Sequence, residues 1–377
     1  MEINTYLLKE SDSIEKQIAG SVGENIMIIS FVSPSYSKKE EFFKKVSELY
    51  PSAKIIGCST SGEIFQDTLS DDSVAMSVCS FDNTRIKQVT IPVKSSEDSY
   101  SVGVELATSL RAEKLKGVFI LSDGLSVNGT SLANGINDTL SGNPVITGGL
   151  AGDGDRFKET WIADRNGIKS NHVSAIGFYG DHINIGHGSV GGWDKFGIEK
   201  VITRSRGNVL YEIAGRPALD LYKEYLGDRA SGLPATALLF PLSLRNSRED
   251  SDYLVRTVLA VDEENKSMTF AGDVPEGSLA TFMKANFDRL VEGAGSAALS
   301  ANIETNDPLL CLAISCVGRR LVLGESVEDE IDAVISNLPD QTKQIGFYSY
   351  GELSPHSNGK CELHNQTMTL TTISEKL

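Results

Sequence analysis

Three apolar runs, Ile26 to Val32, Gly117 to Ser122 and Leu309 to Cys316, stand out from the polar segments around them. Each leads into a segment of helical spacing and then into a short run that ends in glycines and an acid. In the first copy Phe42, Val46 and Leu49, with Phe43 and Tyr50, form the helical stripe; in the third it is Ile331, Val334, Ile335 and Leu338. The closing runs are Gly57-Cys58-Ser59-Thr60-Ser61-Gly62-Glu63, Gly148-Gly149-Leu150-Ala151-Gly152-Asp153 and Gly346-Phe347-Tyr348-Ser349-Tyr350-Gly351-Glu352. Ser37, Asn128 and Ser326 each precede the leading glycine by 20 positions, and Ser37/Glu40 and Ser326/Asp329 read as capping boxes. The repeating unit is therefore strand, loop, amphipathic helix, short strand and Gly-rich turn. The expected fold class is α/β, with mixed β-sheets flanked by helices and two pseudo-related halves built from these units.

The connecting segments read as antiparallel strands. Ser73 to Phe81 is a strand and Arg85 to Val93 its expected hairpin partner. A helix spans about Asp98 to Ala112. Trp161 to Gly167 is a strand entering the Asn166-Gly167 turn, a strong hairpin signal. His172 to Tyr179 and Ile183 to His187 continue as a meander. The stretch from Gly188 to Gly207 is glycine-rich with little periodicity, which places the boundary between domains 1–190 and 191–377 there. Beyond it come helices from Pro217 to Leu226 and Asn286 to Leu299, strands around Leu254 to Val261 and Ser267 to Phe270, and a final strand from His364 to Ile373.

Composition narrows the class of function. With 40% hydrophobic and 23% charged residues over 377 positions, the chain has ample material for a buried core. A formal net charge of −16 argues against nucleic acid or an anionic membrane as partner, since both attract basic surface. Met1 to Thr5 shows no signal-peptide pattern. The longest apolar stretch, Pro234 to Leu244, is interrupted by prolines and far short of a membrane span. Five cysteines without paired spacing fit a reducing compartment, so the expected location is the cytoplasm.

Among candidate chemistry, Walker-type, G-x-S-x-G and H-E-x-x-H motifs are all absent. Glycines such as Gly57 at a strand end let a ligand or another backbone come close. The three turns could converge on one ligand site or merely cap a core. Cys58, with Ser59 to Ser61, sits where a nucleophile could be exposed, giving a thiol- or hydroxyl-dependent hydrolase as one alternative and a non-ligand-binding adaptor as another. The terminal acids Glu63, Asp153 and Glu352 could hold a ligand ammonium or cap backbone amides. Trp193 could stack on a ligand or anchor its loop, and Arg319 follows a strand end where open sheets bind ligands.

Several segments together resemble the FIST proteins, with N-terminal and C-terminal FIST domains over nearly the whole chain. They are Gly57 to Glu63, Gly191-Gly192-Trp193 with Phe196-Gly197, Gly207 to Glu212, Gly272-Asp273-Val274-Pro275-Glu276-Gly277, Gly346 to Glu352 and Leu363-His364-Asn365-Gln366-Thr367. The resemblance implies an intracellular, non-enzymatic sensory protein for a small ligand, signalling to a histidine kinase, a chemotaxis receptor or a cyclic-di-GMP enzyme. Stand-alone bacterial members include haem-based nitric oxide sensors. For haem, His364 is the first candidate axial ligand and His187 the second. Tyr348, in the third turn, joins Gly57, Cys58, Ser59, Glu63, Asp153, Trp193, Arg319 and Glu352 as the candidate ligand-binding set.

Overall fold

The computed structural model describes residues 1–18, 25–140, 144–233, 235–249 and 253–376; Pro234 lies outside them. The chain runs through one set of elements three times. The first unit comprises β1 (Glu2–Lys9), α1 (Ile14–Gln17), β2 (Ile26–Val32), α2 (Lys39–Leu49), β3 (Lys54–Ser59), the hairpin β4 (Glu63–Phe65) and β5 (Thr68–Ser70), and β6 (Ser73–Ser80). The second repeats this order as β7 (Arg85–Pro92), α3 (Ser99–Leu110), β8 (Leu115–Ser122), α4 (Gly129–Thr139), β9 (Val145–Leu150), β10 (Ile162–Asp164), β11 (Gly167–Lys169) and β12 (His172–Tyr179).

The third unit opens with β13 (Ile183–Val190) and is then interrupted. The inserted segment holds β14 (Asp194–Arg206), β15 (Val209–Ile213), β16 (Arg216–Pro217), α5 (Ala218–Leu226), β17 (Leu242–Arg245), β18 (Leu254–Arg256), β19 (Val258–Asp262), β20 (Ser267–Phe270) and β21 (Leu279–Lys284). The unit resumes with α6 (Phe287–Ala301), β22 (Leu309–Cys316), α7 (Val317–Leu323), α8 (Val327–Ile335), β23 (Lys343–Ser349), β24 (Gly351–Pro355), β25 (Cys361–His364) and β26 (Met368–Glu375).

Each unit builds a sheet around one parallel pair, β2–β3, β8–β9 or β22–β23. The hairpin that follows that pair leaves for a neighbouring sheet. Strand β4 pairs with β23 of the third unit, β10 with β3 of the first, and β24 with β9 of the second. The resulting orders are β1-β6-β2-β3-β10-β11, β7-β12-β8-β9-β24-β25 and β13-β26-β22-β23-β4-β5. The exchange is cyclic, so the three sheets enclose a common core. Met27, Ile29 and Phe31 point inward to meet Phe119, Leu121, Leu312, Ile314 and Phe347, with Phe31 and Phe347 stacked at 4.7 Å. The alternate positions face outward under helices: Ile28 and Val32 under α2, Val118 and Ile120 under α3 and α4, Cys311 and Ala313 under α6 and α8. Burial on both faces explains why these strands read as unbroken apolar runs.

The leading glycine of each repeat has a definite cause. Gly57, Gly148 and Gly346 occupy equivalent positions opposite Ser30, Ile120 and Ala313 on the parallel partner. A Cβ there would lie 2.8, 2.0 and 1.9 Å from those residues' carbonyl oxygens. Close backbone approach is thus the common requirement.

Several local expectations differ from the structure. Strand β7 does not pair with β6; it joins β12 as the outermost strand of the second sheet. Strands β12 and β13 lie in different sheets and form no meander. The glycine-rich stretch from 188 to 207 is mostly the long strand β14, which bulges between Phe196 and Lys200 in its pairing with β21. The capping boxes at Ser37 and Ser326 do not form: α2 starts from Lys38, and the Ser326 side chain makes no cap bond. Asn128 does cap α4, accepting from the Ser131 amide at 3.0 Å.

If close approach is what fixes these glycines, Gly346→Ala must push β22 and β23 apart. The expected loss of stability is about 1–3 kcal/mol, read as a lower urea midpoint at unchanged m-value.

Candidate functional site

The three turns meet at one end of the barrel-like core and are stitched by backbone hydrogen bonds. The Ser61 amide donates to the Tyr348 carbonyl at 2.8 Å, the Tyr348 amide to the Gly62 carbonyl at 2.9 Å, the Gly152 amide to the Ser59 carbonyl at 3.0 Å and the Tyr350 amide to the Leu150 carbonyl at 3.1 Å. Ser59 Oγ accepts from the Trp161 amide at 3.1 Å and Ser61 Oγ from the Gly154 amide at 2.9 Å. The turn hydroxyls are therefore already engaged in holding the loops together.

Two of the terminal acids repeat the same bonding. Glu63 accepts from Thr60 Oγ1 and from the Ser73 amide and hydroxyl at 3.2 and 2.8 Å. Glu352 accepts from Ser349 Oγ at 2.6 Å and from the Thr367 amide and hydroxyl at 3.4 and 2.9 Å. Burial pushes both carboxyls up to about 8, against these hydrogen bonds. Both are sealed from solvent and tie each turn to the strand β6 or β26 that closes its unit. Asp153 differs. Burial raises its carboxyl, but the Tyr350 hydroxyl and the amides of Glu159 and Lys158, at 2.9 and 3.0 Å, outweigh this and hold it below the usual range.

The second turn is the one that opens onto a cleft. Its hairpin starts only at Ile162, whereas in the first unit β4 begins at the acid itself. The intervening loop carries Phe157, whose ring stacks on Tyr350 at 4.5 Å with planes 12° apart. Phe157 has φ 49°, a costly conformation for an aromatic residue; its amide donates to Tyr350 Oη at 3.3 Å. Beside it Asp123 shapes the loop into α4, accepting from the Leu125 and Ser126 amides at 3.0 and 3.1 Å and from Thr160 Oγ1 at 2.8 Å.

The inserted segment supplies the opposite wall. Asn208, Leu259 and the Phe270–Gly272 turn face Tyr350, Phe157 and the first residues of α4 across a cleft of about 270 Å³. Leu125, Phe157 and Leu259 are 44%, 45% and 43% exposed and all line this one cleft, an apolar rim of the kind that marks binding sites. The start of α4, where Asn128 caps the Ser131 amide, gives the floor a partly positive end. Two contacts dock the insertion here: Asn128 Nδ2 donates to Asp273 at 3.0 Å, and buried Arg256, steadied by the Asp273 carbonyl of its own segment at 2.9 Å, donates to the Leu363 carbonyl at 3.0 Å.

The sequence-derived candidates divide accordingly. Gly57, Cys58, Ser59, Glu63 and Glu352 are buried in the turn junction, and Asp153 stands behind Tyr350. Cys58 is enclosed in the shared core, and burial together with Glu63 pushes its thiol well above the ordinary value. Trp193 does not stand free in a loop; its Nε1 donates to the Gln366 carbonyl at 2.8 Å. Arg319 lies in α7, wholly buried against Glu330 at 2.7 Å, and Tyr348 donates to the same carboxylate at 2.6 Å. This network joins β22, β23, α7 and α8, so neither residue lines the cleft. Phe157, Tyr350, Asn208 and Gly272 do line it. Tyr350, Asn208 and Gly272 fall in the segments that carry the family resemblance, whereas the signal for Phe157 was the second copy's departure from the repeat.

Haem does not fit the two histidines. His364 is buried with Nε2 3.1 Å from the Ser354 carbonyl, its ring lies 5.9 Å from that of His356, and burial drives it down to about 3. His187 lies on β13, in another sheet, half-buried and lowered by the same cause. Neither ring lines the cleft. Among the described residues no group of three or more His, Cys, Asp or Glu side chains could hold a metal ion, and no helix is long and apolar enough to cross a membrane.

The fold is one of three strand–helix units, the third interrupted by an insertion, with a cleft of ligand size beside their shared turns. The FIST N domain matches residues 26–216 and the FIST C domain residues 218–355, and the chain belongs to the FIST family. FIST domains are signal-transduction sensory domains that bind small ligands. The chain is also similar to an uncharacterized protein of Methanocaldococcus jannaschii, 24% identical over an alignment 389 positions long that takes in 92% of this chain and 73% of that protein. A crystal structure of cyanuric acid hydrolase from A. caulinodans aligns with 78% of this chain and 99% of its own at 12% identity, with a TM-score of 0.17, too slight a likeness to carry an argument.

The buried acids give a pH test. Both carboxyls lie above their ordinary 4.5 in the folded protein, so their stabilising contribution is complete below that value and is lost as pH rises through about 8. Thermal melts from about pH 5 to pH 8 should show stability falling, and Glu63→Gln with Glu352→Gln should flatten the fall.

Proposed function

We propose that this protein senses a small molecule bound in the cleft between the three-turn end and the inserted segment, and passes occupancy to a signalling partner such as a histidine kinase. The carrying observation is that the cleft's two walls belong to different bodies of the fold: Phe157 and Tyr350 on one, Asn208, Leu259 and Phe270 to Gly272 on the other. A ligand touching both favours one disposition of the insertion over others, which is what a sensor requires. Its apolar portion lies against Leu125, Phe157 and Leu259, and a carbonyl or anionic end faces the start of α4. The pairing of apolar walls with few polar groups selects compact amphiphiles over polymers.

The hydrolase alternative finds no support in the geometry of residues 58 to 61. Cys58 is fully buried, and the hydroxyls of Ser59, Thr60 and Ser61 are engaged with Trp161, Glu63 and Gly154. Among the described residues none of them has a histidine or lysine as a hydrogen-bond partner.

A thermal-shift panel of small amphiphiles tests the sensing role. A binder at about one hundred times its Kd should stabilise the protein by about 2.7 kcal/mol. Phe157→Ala should abolish that shift while leaving the melting curve of the free protein cooperative. A panel without any stabilising compound would favour an adaptor that binds no ligand. For the same binder, Cys58→Ala should change affinity by no more than about threefold, because a residue distant from the ligand couples weakly to it.

A further inference from the structure

On this acidic chain one large groove has the opposite charge. It lies where the second sheet's outermost strand β7 meets the start of β3 and the β10–β11 hairpin, and encloses about 960 Å³. Lys54, Arg85, Lys87, Arg165 and Lys169 line it together with His172, and the carboxylate among them, Asp164, is paired with Lys169. Three of the cations are held in place rather than waving in solvent. Arg165 donates to the carbonyls of Pro51 and Ser47, Lys87 to the Ser109 carbonyl at 2.7 Å, and the Arg85 guanidinium lies 4.1 Å from the Tyr179 ring centroid. On a chain of formal charge −16 this concentration of cations is a local reversal of sign, a surface that attracts an anionic partner where the rest of the chain repels it.

The strand shows how the anion would lie. Arg85, Ile86, Lys87, Gln88 and Thr90 of β7 all border the groove. A sheet face presents alternate residues, so consecutive ones mean that the edge of the strand borders it. Among the described residues β7 pairs with β12 on one side and has no strand on the other.

We propose that this groove docks an acidic, extended segment of a partner protein, which runs along the open edge of β7. Backbone hydrogen bonds to the edge supply the register, and carboxylates of the segment face Lys54, Arg85 and Lys87. Lys54, which has no carboxylate within ion-pair distance among the described residues, is a contact such a segment would complete. The inference rests on the groove's own charge and shape. It stands apart from the cleft, and the two are tested by different readouts.

Fluorescence anisotropy with the full chain and a labelled peptide of alternating glutamate and valine tests it. The expected result is saturable binding that weakens as salt is raised. Lys54→Glu with Lys87→Glu should weaken it about tenfold or more, with circular dichroism melts confirming that the variant is folded. The same reversal at Lys200 and Lys284, on the inserted segment, should leave it unchanged. The same peptide with N-methylated backbone amides should also bind at least about tenfold more weakly. The proposal is overturned by any of four results: no binding at low salt, binding insensitive to the groove reversal, equal binding of the N-methylated peptide, or tighter binding of a single-stranded RNA of equal charge.

Discussion

Cyclic exchange of the β4–β5, β10–β11 and β24–β25 hairpins is the constraint on which the rest of the structure depends. Each sheet ends on strands contributed by another unit, so the backbone groups at the end of one parallel pair are satisfied only when the next unit has folded beside it. That requirement fixes the angle between sheets, brings the three turns to one end, and buries the acids that end the first and third turns. Glu63 and Glu352 follow from it: each is the first polar group the chain meets after crossing to a foreign sheet, and each reaches back to a hydroxyl at the start of its own unit's closing strand.

Much of this was legible in the sequence, because a repeat that must pack against copies of itself repeats its packing residues. The spacing of Gly57, Gly148 and Gly346 located three strand ends, and the apolar runs before them located the inner strands. What could not be read was which strand pairs with which. Arg85 to Val93 looks like the partner of Ser73 to Phe81 because the two adjoin in sequence, yet the exchange places β7 in the next sheet. Capping boxes at Ser37 and Ser326 failed for a related reason: local side-chain bonds compete with tertiary ones, and the Ser37 amide is taken by Glu10 at 2.7 Å.

The site was less legible than the fold. Trp193, Arg319 and Tyr348 have the residue types of ligand contacts, but the same types serve buried polar networks, and Arg319 with Glu330 is such a network. Only partners distinguish the two uses. Phe157 carries no motif. It became visible as a position where one copy of a repeat is longer than the others, which is where a symmetric scaffold has freedom to acquire a specific surface.

The match to two domains meets at residues 216 and 218, within the inserted segment and away from any junction between units. A polypeptide cut there would keep β9 without β24 and β4 without β23. The N-terminal piece would thus present bare strand edges at both ends of its sheets, the arrangement that recruits other chains. In this architecture the two matched domains share sheets, and the body in which β9 and β4 both have their partner strands is the closed ring of three.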